Sequence, residues 1–185
     1  VVIRPVQSML DPTVAEILAQ IRHSGIPRLH GRTNLPDGTS AYVFEYLEGI
    51  SLGDLARQAG GIIKPDALLP IIARAARTLG FLHRQGDFPL VHLDIKPEHI
   101  LVQENGTVCL IDFGASRLLA PEAGTDEAVG SALTPAFAAP EQTAGKPCPG
   151  SDLYALGLVM LHLLTGRPPA ACRTSPPAAI LAAGS

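Results

Sequence analysis

The sequence predicts an α+β fold in which a small, strand-rich N-terminal part precedes a larger and mainly helical part. Three observations support this prediction. β-branched runs and a hairpin signal dominate residues 1–47, helical patterns cover 52–59 and 66–85, and an apolar helical stretch covers 153–166. A chain of 185 residues with 46% hydrophobic and 17% charged residues can also bury a substantial core.

The strand-rich part opens with the run VVIRPV, which predicts a strand that Pro5 either ends or confines to a sheet edge. A helix is expected next, because Asp11 suits an N-cap, Pro12 suits the first helical position, and apolar residues then recur at helical spacing. The pair Asp37-Gly38 lies between two apolar runs and predicts a β-hairpin.

The helical part contains a second hairpin signal, in which the runs HILV and VCLI flank Asn105-Gly106 and end at Asp112. Residues 115–150 are rich in Ala, Pro, Gly, Ser and Thr without sustained periodicity, which predicts a long loop. Loops of this length in compact domains are usually functional or disordered. Residues 171–185 carry adjacent prolines and small residues, so that a loose tail is expected there.

Composition and charge exclude several classes of function. The net charge of −3 comes without a basic stripe, so no nucleic acid partner is expected. The three cysteines, Cys109, Cys148 and Cys172, are widely spaced, which indicates neither a disulfide framework nor a zinc site and favours a reducing, cytoplasmic setting. No signal peptide is visible, and 153–166 is shorter than the roughly 20 residues of a membrane span, so no span is expected in this chain.

Four short motifs occur in order along the chain: HLDIKPEH at 92–99, DFG at 112–114, TPAFAAPE at 134–141 and SDLYALG at 151–157. Each is uninformative alone, because an Asp-Phe-Gly after a strand is most often just a turn. Their shared order and spacing are informative, and the set resembles the protein kinase family, in particular the bacterial, eukaryotic-like Ser/Thr kinases.

The resemblance runs from the first residues to about residue 170 and implies a protein-kinase-like α+β fold. A truncated, β-rich N-lobe with the hinge would occupy 1–47. An incomplete, mainly helical C-lobe with the catalytic loop and activation segment would occupy 48–170, ahead of the tail at 171–185.

Phosphoryl transfer explains the residue types in these motifs. The reaction needs a carboxylate beside the attacking hydroxyl, a cation near the transferring phosphate, and metal ions that bridge the phosphate oxygens. The resemblance implies that Asp94 is the carboxylate, Lys96 the cation and Asp112 a metal ligand. The alternative for Asp94 is a capping residue at a turn. His92 is expected to be a packed residue that supports the turn Asp112-Phe113-Gly114.

The resemblance also assigns a nucleotide site. The stretch 42–49 is similar to the hinge between lobes, with Phe44 as the gatekeeper residue beside the adenine pocket. The backbones of Glu45 and Leu47 would face adenine, and Leu101 would lie beneath its ring.

Three further residues follow from the resemblance in the later motifs. Thr134 would face the substrate hydroxyl, and together with Lys96 it favours Ser/Thr over Tyr specificity. Glu141 and Asp152 would be buried structural anchors, and Asp152 would tie the helix at 153–166 to the catalytic loop.

The N-terminal part departs from the family pattern. No Gly-x-Gly-x-x-Gly occurs, so the loop that covers the phosphates is missing. If VVIRPV corresponds to the third strand of the family, Arg4 stands in place of the phosphate-binding lysine. Its planar guanidinium group has the same charge as the lysine ammonium. Val14 falls where the lysine's glutamate partner would stand, and Glu16 lies about 200° further round the helix. Glu16 is therefore either brought inward by a helix shift or a solvated surface charge.

Two further departures lie in the catalytic loop. Leu93 replaces the arginine that grips an activation-loop phosphate, so switching by that phosphate is not expected despite Thr125, Ser131 and Thr134 in the loop. His99 replaces an asparagine that binds metal in the family. Imidazole suits softer metals than Mg²⁺, so His99 is either a ligand of an altered site or a structural residue whose ring points at the Asp94 backbone.

The function expected from these residues is ATP-dependent phosphorylation of Ser or Thr in a protein substrate, with ATP and Mg²⁺, or Mn²⁺, as cofactors. The chain is expected to be incomplete, to sit beside fused regulatory domains, and to transfer little or no phosphate by itself. The alternative is a pseudokinase, a regulatory or binding module with weak or no nucleotide binding. A small-molecule phosphotransferase is disfavoured, because such enzymes generally lack a run like TPAFAAPEQ.

Overall fold

The structure is a computed structural model that describes the backbone of residues 2–5 and the full residues 10–120 and 134–174. The side chain of Arg4, the loop residues Thr125 and Ser131, and the end of the predicted tail at 175–185 lie outside the described residues.

The N-terminal part is an antiparallel sheet of three strands beside one helix. Strand β3 (Ser40–Phe44) lies between β1 (Val2–Pro5) and β2 (Leu29–Asn34). Among the described strands β1 lies at the edge of this sheet, which is one of the two alternatives predicted from Pro5. The hairpin predicted at Asp37-Gly38 is confirmed, since Gly38 adopts φ +84° and Asp37 Oδ1 accepts from Thr39 N at 2.9 Å.

Helix α1 (Pro12–Gln20) packs against this sheet. Asp11 caps it as predicted, because its carboxylate accepts a hydrogen bond from Thr13 N at 2.7 Å, and Pro12 occupies the first turn. Val14 and Leu18 are fully buried, whereas Glu16 is exposed. The inner face of α1 is therefore apolar.

The larger part is mainly helical, with two small sheets. Its helices are α2 (Leu52–Gln58), α3 (Pro65–Leu82), α4 (Pro140–Thr143), α5 (Pro149–Thr165) and α6 (Pro169–Thr174). Strands β4 (Ile50–Ser51), β6 (Ile100–Val102) and β7 (Val108–Leu110) form one sheet; β5 (Leu90–Val91) and β8 (Arg117–Leu118) form the other. The predicted hairpin around Asn105-Gly106 is the pair β6 and β7.

Two sequence-based boundaries need correction. The predicted loop at 115–150 contains β8, α4 and the start of α5, because pairing with β5 and packing against the helices supply structure that local periodicity does not show. The predicted loose tail starts inside α6, where Cys172 is 4% exposed. Residues 171–174 are thus helical, and only 175–185 remains a prediction.

One hydrophobic core runs through both parts. Its fully buried leucines and isoleucines come from α1, α2, α3, α5 and the short strands, and each contributes roughly 2 kcal/mol by burial. The largest are Leu18, Leu52, Leu68, Leu79, Leu82, Leu90, Ile100, Leu110 and Leu163. The loop between β5 and β6 lies on this core and carries the first motif. Among the described residues, none of the helices combines the length and apolar character that crossing a bilayer requires.

Candidate active site

The loop between β5 and β6 is held from below by Asp152 of α5. Asp152 is 1% exposed, and its Oδ1 accepts from Leu93 N at 2.8 Å while its Oδ2 accepts from His92 N at 2.9 Å. His83 at the end of α3 reaches the same Oδ2 through Nε2 at 2.8 Å. The buried carboxylate thus joins α3 and α5 to the loop; only a link between α5 and the loop was expected from the sequence.

Leu93 takes an unusual backbone conformation directly before Asp94. Its φ is +64°, a region that costs a non-glycine residue about 1–2 kcal/mol. Asp152 fixes its N–H, and Gln142 Nε2 donates to its carbonyl at 2.6 Å. Its side chain is 5% exposed and packs with Val91 and Ala115. These contacts on both sides maintain the strained turn that presents Asp94.

Asp94, Lys96 and Thr134 form a closed triangle of hydrogen bonds. Lys96 Nζ donates to Asp94 Oδ2 and to Thr134 Oγ1, both at 2.9 Å, and Thr134 Oγ1 donates to Asp94 Oδ1 at 2.6 Å. The side chains of Asp94 and Lys96 are 11% and 22% exposed. The structure therefore gathers the predicted carboxylate, cation and threonine at one partly open point.

His99 lies between the two aspartates of the site. Its Nδ1 is 2.9 Å from the Asp94 carbonyl oxygen and 3.2 Å from Asp94 Oδ2, and its Nε2 is 3.5 Å from Asp112 Oδ2. Burial lowers the pKa of His99, which favours the neutral ring. With the Nδ1 proton donated to the Asp94 carbonyl, the Nε2 lone pair faces Asp112. The predicted contact with the Asp94 backbone is present, and the second ring nitrogen is directed at the other candidate ligand.

His92 is fully buried beneath the site, and burial lowers its pKa. Its Nε2 lies 3.2 Å from the Ile111 carbonyl and its Nδ1 accepts from Asp94 N at 3.4 Å, so the neutral ring protonated on Nε2 satisfies both contacts. The ring centroid is 4.8 Å from that of Phe113. His92 thus packs under the turn that carries Asp112, where the sequence placed it.

Asp112 also adopts a positive φ, +67°. Its Oδ1 accepts from Gly114 N at 3.4 Å, and its side chain is 23% exposed. In the ranges 10–120 and 134–174, no cluster of three or more His, Cys, Asp or Glu side chains could hold a metal ion. A metal at this site would be bound by the protein ligands His99 and Asp112, and a bound molecule or water would supply its remaining ligands.

An open cavity of about 710 Å³, counted with its mouth, lies beside Asp112 between the two parts of the chain. Its lining includes the predicted nucleotide-site residues Phe44, Glu45, Leu47 and Leu101 together with Asp112, Phe113 and Gly114. The apolar walls fit a flat aromatic base. An anionic group attached to that base would need a cation between it and the Asp112 carboxylate.

One backbone N–H of the hinge already donates a hydrogen bond within the protein. Glu45 N donates to the Arg28 carbonyl at 2.8 Å, and Glu45 Oε2 accepts from Arg28 N at 3.2 Å. The Glu45 carbonyl, rather than its N–H, is therefore the group that could meet a base in the cavity. Leu10 and Ile111 also line this cavity and were not predicted; Ile111 could have been found from its place directly before the DFG motif.

The structure shows where the N-terminal residues that depart from the family pattern lie. Val14 is fully buried in the core, and Glu16 is exposed, which matches the surface alternative for Glu16. The Arg4 backbone pairs with Tyr42 on β3.

Residues 134–141, here named the docking segment, lead from Thr134 into α4. The amides of Phe137 and Ala138 donate to the Thr134 carbonyl at 3.1 and 3.3 Å. Glu141 is only half-buried, in contrast to the prediction of a buried anchor, and its Oε1 accepts from Ser151 Oγ at 2.7 Å.

Three residues that support the site were not predicted. Gln142 holds Leu93, His83 holds Asp152, and Arg173 of α6 contacts the docking segment. Gln142 adjoins a recognised motif and could have been considered. His83 and Arg173 carry no signal in the sequence, since each acts on residues that are distant along the chain.

Comparison with known proteins gives a consistent result. The model of the protein kinase domain family matches residues 12–180. The chain is 34% identical over 160 residues to serine/threonine-protein kinase PknB of Mycolicibacterium smegmatis, covering 84% of this chain and 25% of the relative. It is 39% identical over 131 residues to serine/threonine-protein kinase drp72 of Corynebacterium efficiens, covering 69% and 24%.

The fold is similar to the crystal structure of the Mycobacterium tuberculosis PknI kinase domain, with a TM-score of 0.63 and 27% sequence identity, over 83% of this chain and 55% of that one. The chain thus spans about a quarter of the length of these curated relatives and just over half of that kinase domain. The predicted α+β, kinase-like fold is confirmed. Motifs, family model and fold agree: this chain belongs to the protein kinase domain family and is homologous to bacterial Ser/Thr kinases.

Proposed function

We propose that this chain is the catalytic part of an ATP-dependent Ser/Thr protein kinase, which transfers the γ-phosphoryl group of ATP to a hydroxyl of a protein substrate. The observation that carries this proposal is the triangle of Asp94, Lys96 and Thr134, because it places a carboxylate, an ammonium group and a hydroxyl within hydrogen-bonding distance. Phosphoryl transfer depends on such positioning and on charge stabilisation.

Asp94 is the group that orients the substrate hydroxyl and accepts its proton. Its Oδ1 already accepts a hydrogen bond from the Thr134 hydroxyl at 2.6 Å, so an aliphatic hydroxyl reaches this oxygen in the geometry that proton transfer needs. Lys96 Nζ, 2.9 Å from Oδ2, holds the carboxylate in place and puts a cation beside the phosphate that is transferred.

The residues around the cavity fit ATP and a divalent metal. Phe44 and Leu101 offer apolar walls to the base, and the Glu45 carbonyl is the adjacent acceptor. Asp112 Oδ2 and His99 Nε2 would hold the metal: two acceptor atoms 3.5 Å apart are stabilised by a cation between them. When bound, ATP supplies the phosphoryl group and the metal neutralises its charge. Because imidazole suits softer metals, Mg²⁺ fits this site less well than it would fit an all-oxygen site.

A cytoplasmic location is part of this proposal. The three cysteines are all free, and Cys109 and Cys172 are buried within the core, which suits a reducing compartment. Neighbouring regulatory domains remain an expectation from the sequence.

A pseudokinase is the second candidate, and the geometry of α1 favours it. An active kinase pairs its phosphate-binding cation with an acidic residue on this helix, but Val14 occupies the inner face and Glu16 is exposed. The chain would then hold nucleotide weakly or not at all and act as a binding module.

Two measurements separate these candidates. The kinase proposal expects the thermal midpoint to rise on titration with ATP and Mg²⁺ or Mn²⁺, since a ligand at a hundredfold excess over Kd stabilises the native state by roughly 2.7 kcal/mol. It also expects transfer of labelled γ-phosphate to a Ser/Thr protein substrate, slow in this chain by itself, abolished by Asp94→Asn and retained by the surface control Glu16→Gln. Binding without transfer supports the pseudokinase, and the absence of both binding and transfer refutes the kinase proposal.

A further inference from the structure

Arg173 of α6 makes an unusual contact with the docking segment. Its Nη2 lies 2.8 Å from each of the carbonyl oxygens of Pro135, Ala136 and Ala138. Three main-chain acceptors that come from four consecutive residues thus converge on one guanidinium nitrogen.

This convergence needs a cation. Carbonyl oxygens carry partial negative charge, and three that point at one spot repel one another unless a positively charged donor lies among them. The amides of Phe137 and Ala138 are turned the other way and donate to the Thr134 carbonyl at 3.1 and 3.3 Å. The docking segment is therefore a tight turn whose donors face Thr134 and whose acceptors face Arg173.

Helix α6 is anchored firmly enough to hold Arg173 in place. Cys172 beside it is 4% exposed and belongs to the hydrophobic core. His162 of α5 donates from Nδ1 to the Arg167 carbonyl at 2.6 Å, just before α6. The same imidazole packs edge-on against Phe137, with the ring centroids 6.1 Å apart. The docking segment is thus held on one side by Arg173 and on another by His162.

We propose that Arg173 is a positioning residue for protein-substrate recognition. It fixes the turn of the docking segment from Pro135 to Ala138. Arg173 contacts backbone and not the reacting groups, so its effect falls on the affinity for the protein substrate. This inference rests on the proposed kinase function only for its kinetic consequence; the structural part stands independently.

Hydrogen exchange tests the structural part without any activity. In Arg173→Met, which keeps a long apolar side chain and removes the charge, the amides of Phe137 and Ala138 should exchange roughly tenfold faster, as expected from the loss of a charged hydrogen bond. Amides of the β6 and β7 hairpin should keep their rates. Arg173→Lys, whose ammonium keeps the charge and offers three donors, should retain most of the protection.

The matched control is Arg77→Met, because Arg77 is an exposed arginine on α3 beside a different groove, next to the turn at 105–107. It should leave the amides of the docking segment unchanged. Equal protection in Arg173→Met and Arg77→Met would overturn the proposal. So would a uniform increase in exchange across the whole protein, because that outcome shows general destabilisation rather than local release.

Kinetics with the protein substrate test the consequence. Arg173→Met should raise the KM for the protein substrate roughly tenfold, while the KM for ATP stays at the wild-type value and Arg173→Lys restores most of the affinity. A fall in kcat with an unchanged protein-substrate KM would overturn the assignment to substrate recognition. If the wild-type protein transfers no phosphate, the proposed function fails, and the exchange data still decide whether Arg173 holds the docking segment.

Discussion

Thr134 and Asp94 are joined by a hydrogen bond of 2.6 Å, although 40 positions separate them in the chain. Lys96 closes the triangle from the Asp94 side and is itself part of the first motif. A contact of this kind links the catalytic loop to the docking segment and makes the position of each depend on the other.

This link can be tested by removing the hydroxyl of Thr134. Thr134→Val has almost the same shape but no donor, so Asp94 loses one partner and its orientation loosens. We expect the rate of phosphoryl transfer to fall about 10- to 100-fold, measured as kcat with a protein substrate. Thr134→Ser keeps the hydroxyl and should stay close to the wild-type rate. Equal rates for the Val and Ser variants would contradict the role of the hydroxyl.

Asp152 should be a major determinant of stability. It is buried and accepts hydrogen bonds from two backbone amides and from His83. Asp152→Ala leaves these donors without a partner, and we expect a loss of about 3 kcal/mol in the free energy of unfolding. Urea denaturation measures the loss. Glu16→Ala, at an exposed position on α1, should change the same quantity by less than about 0.5 kcal/mol.

The presence of Leu93 in place of a cation leads us to expect that phosphorylation of Thr125 or Ser131 does not control activity. Its side chain is buried with Val91 and Ala115 and offers no cation to a phosphate. Replacing Thr125 and Ser131 together by Ala should therefore leave kcat within about twofold of wild type, since no phosphate-dependent ion pair is lost. Loss of most of the activity in this double variant, with the thermal midpoint unchanged, would show that another cation binds the phosphorylated residue.

The cysteines should differ sharply in reactivity. Cys148 is exposed, whereas Cys109 and Cys172 are buried. Burial, with a smaller effect of the Glu45 carboxylate, raises the pKa of the Cys109 thiol to about 11, so almost no reactive thiolate forms at neutral pH. A thiol reagent should modify Cys148 promptly and the other two only after denaturation. The variant Cys148→Ser should lose the fast phase; a remaining fast phase would contradict the buried placement.

Much of this site could be predicted because its key residues are close together in the chain. Asp94, Lys96 and His99 lie within one loop, and Asp112 follows one hairpin later, so motif order and spacing identify them. The helix cap at Asp11 and the turn at Asp37-Gly38 were predictable for the same reason: local backbone chemistry determines both.

The sequence by itself determined the family, the kinase-like fold class and the identity of the motif residues. Only the tertiary structure decided that Glu141 is half-buried, that His99 Nε2 faces Asp112, and that α6 extends into the predicted tail. It also revealed Arg173 and Gln142 as supports of the site. The physical reason is that these features arise from contacts between segments far apart in the chain, where the fold, rather than local propensity or periodicity, brings charges and hydrogen-bonding groups together.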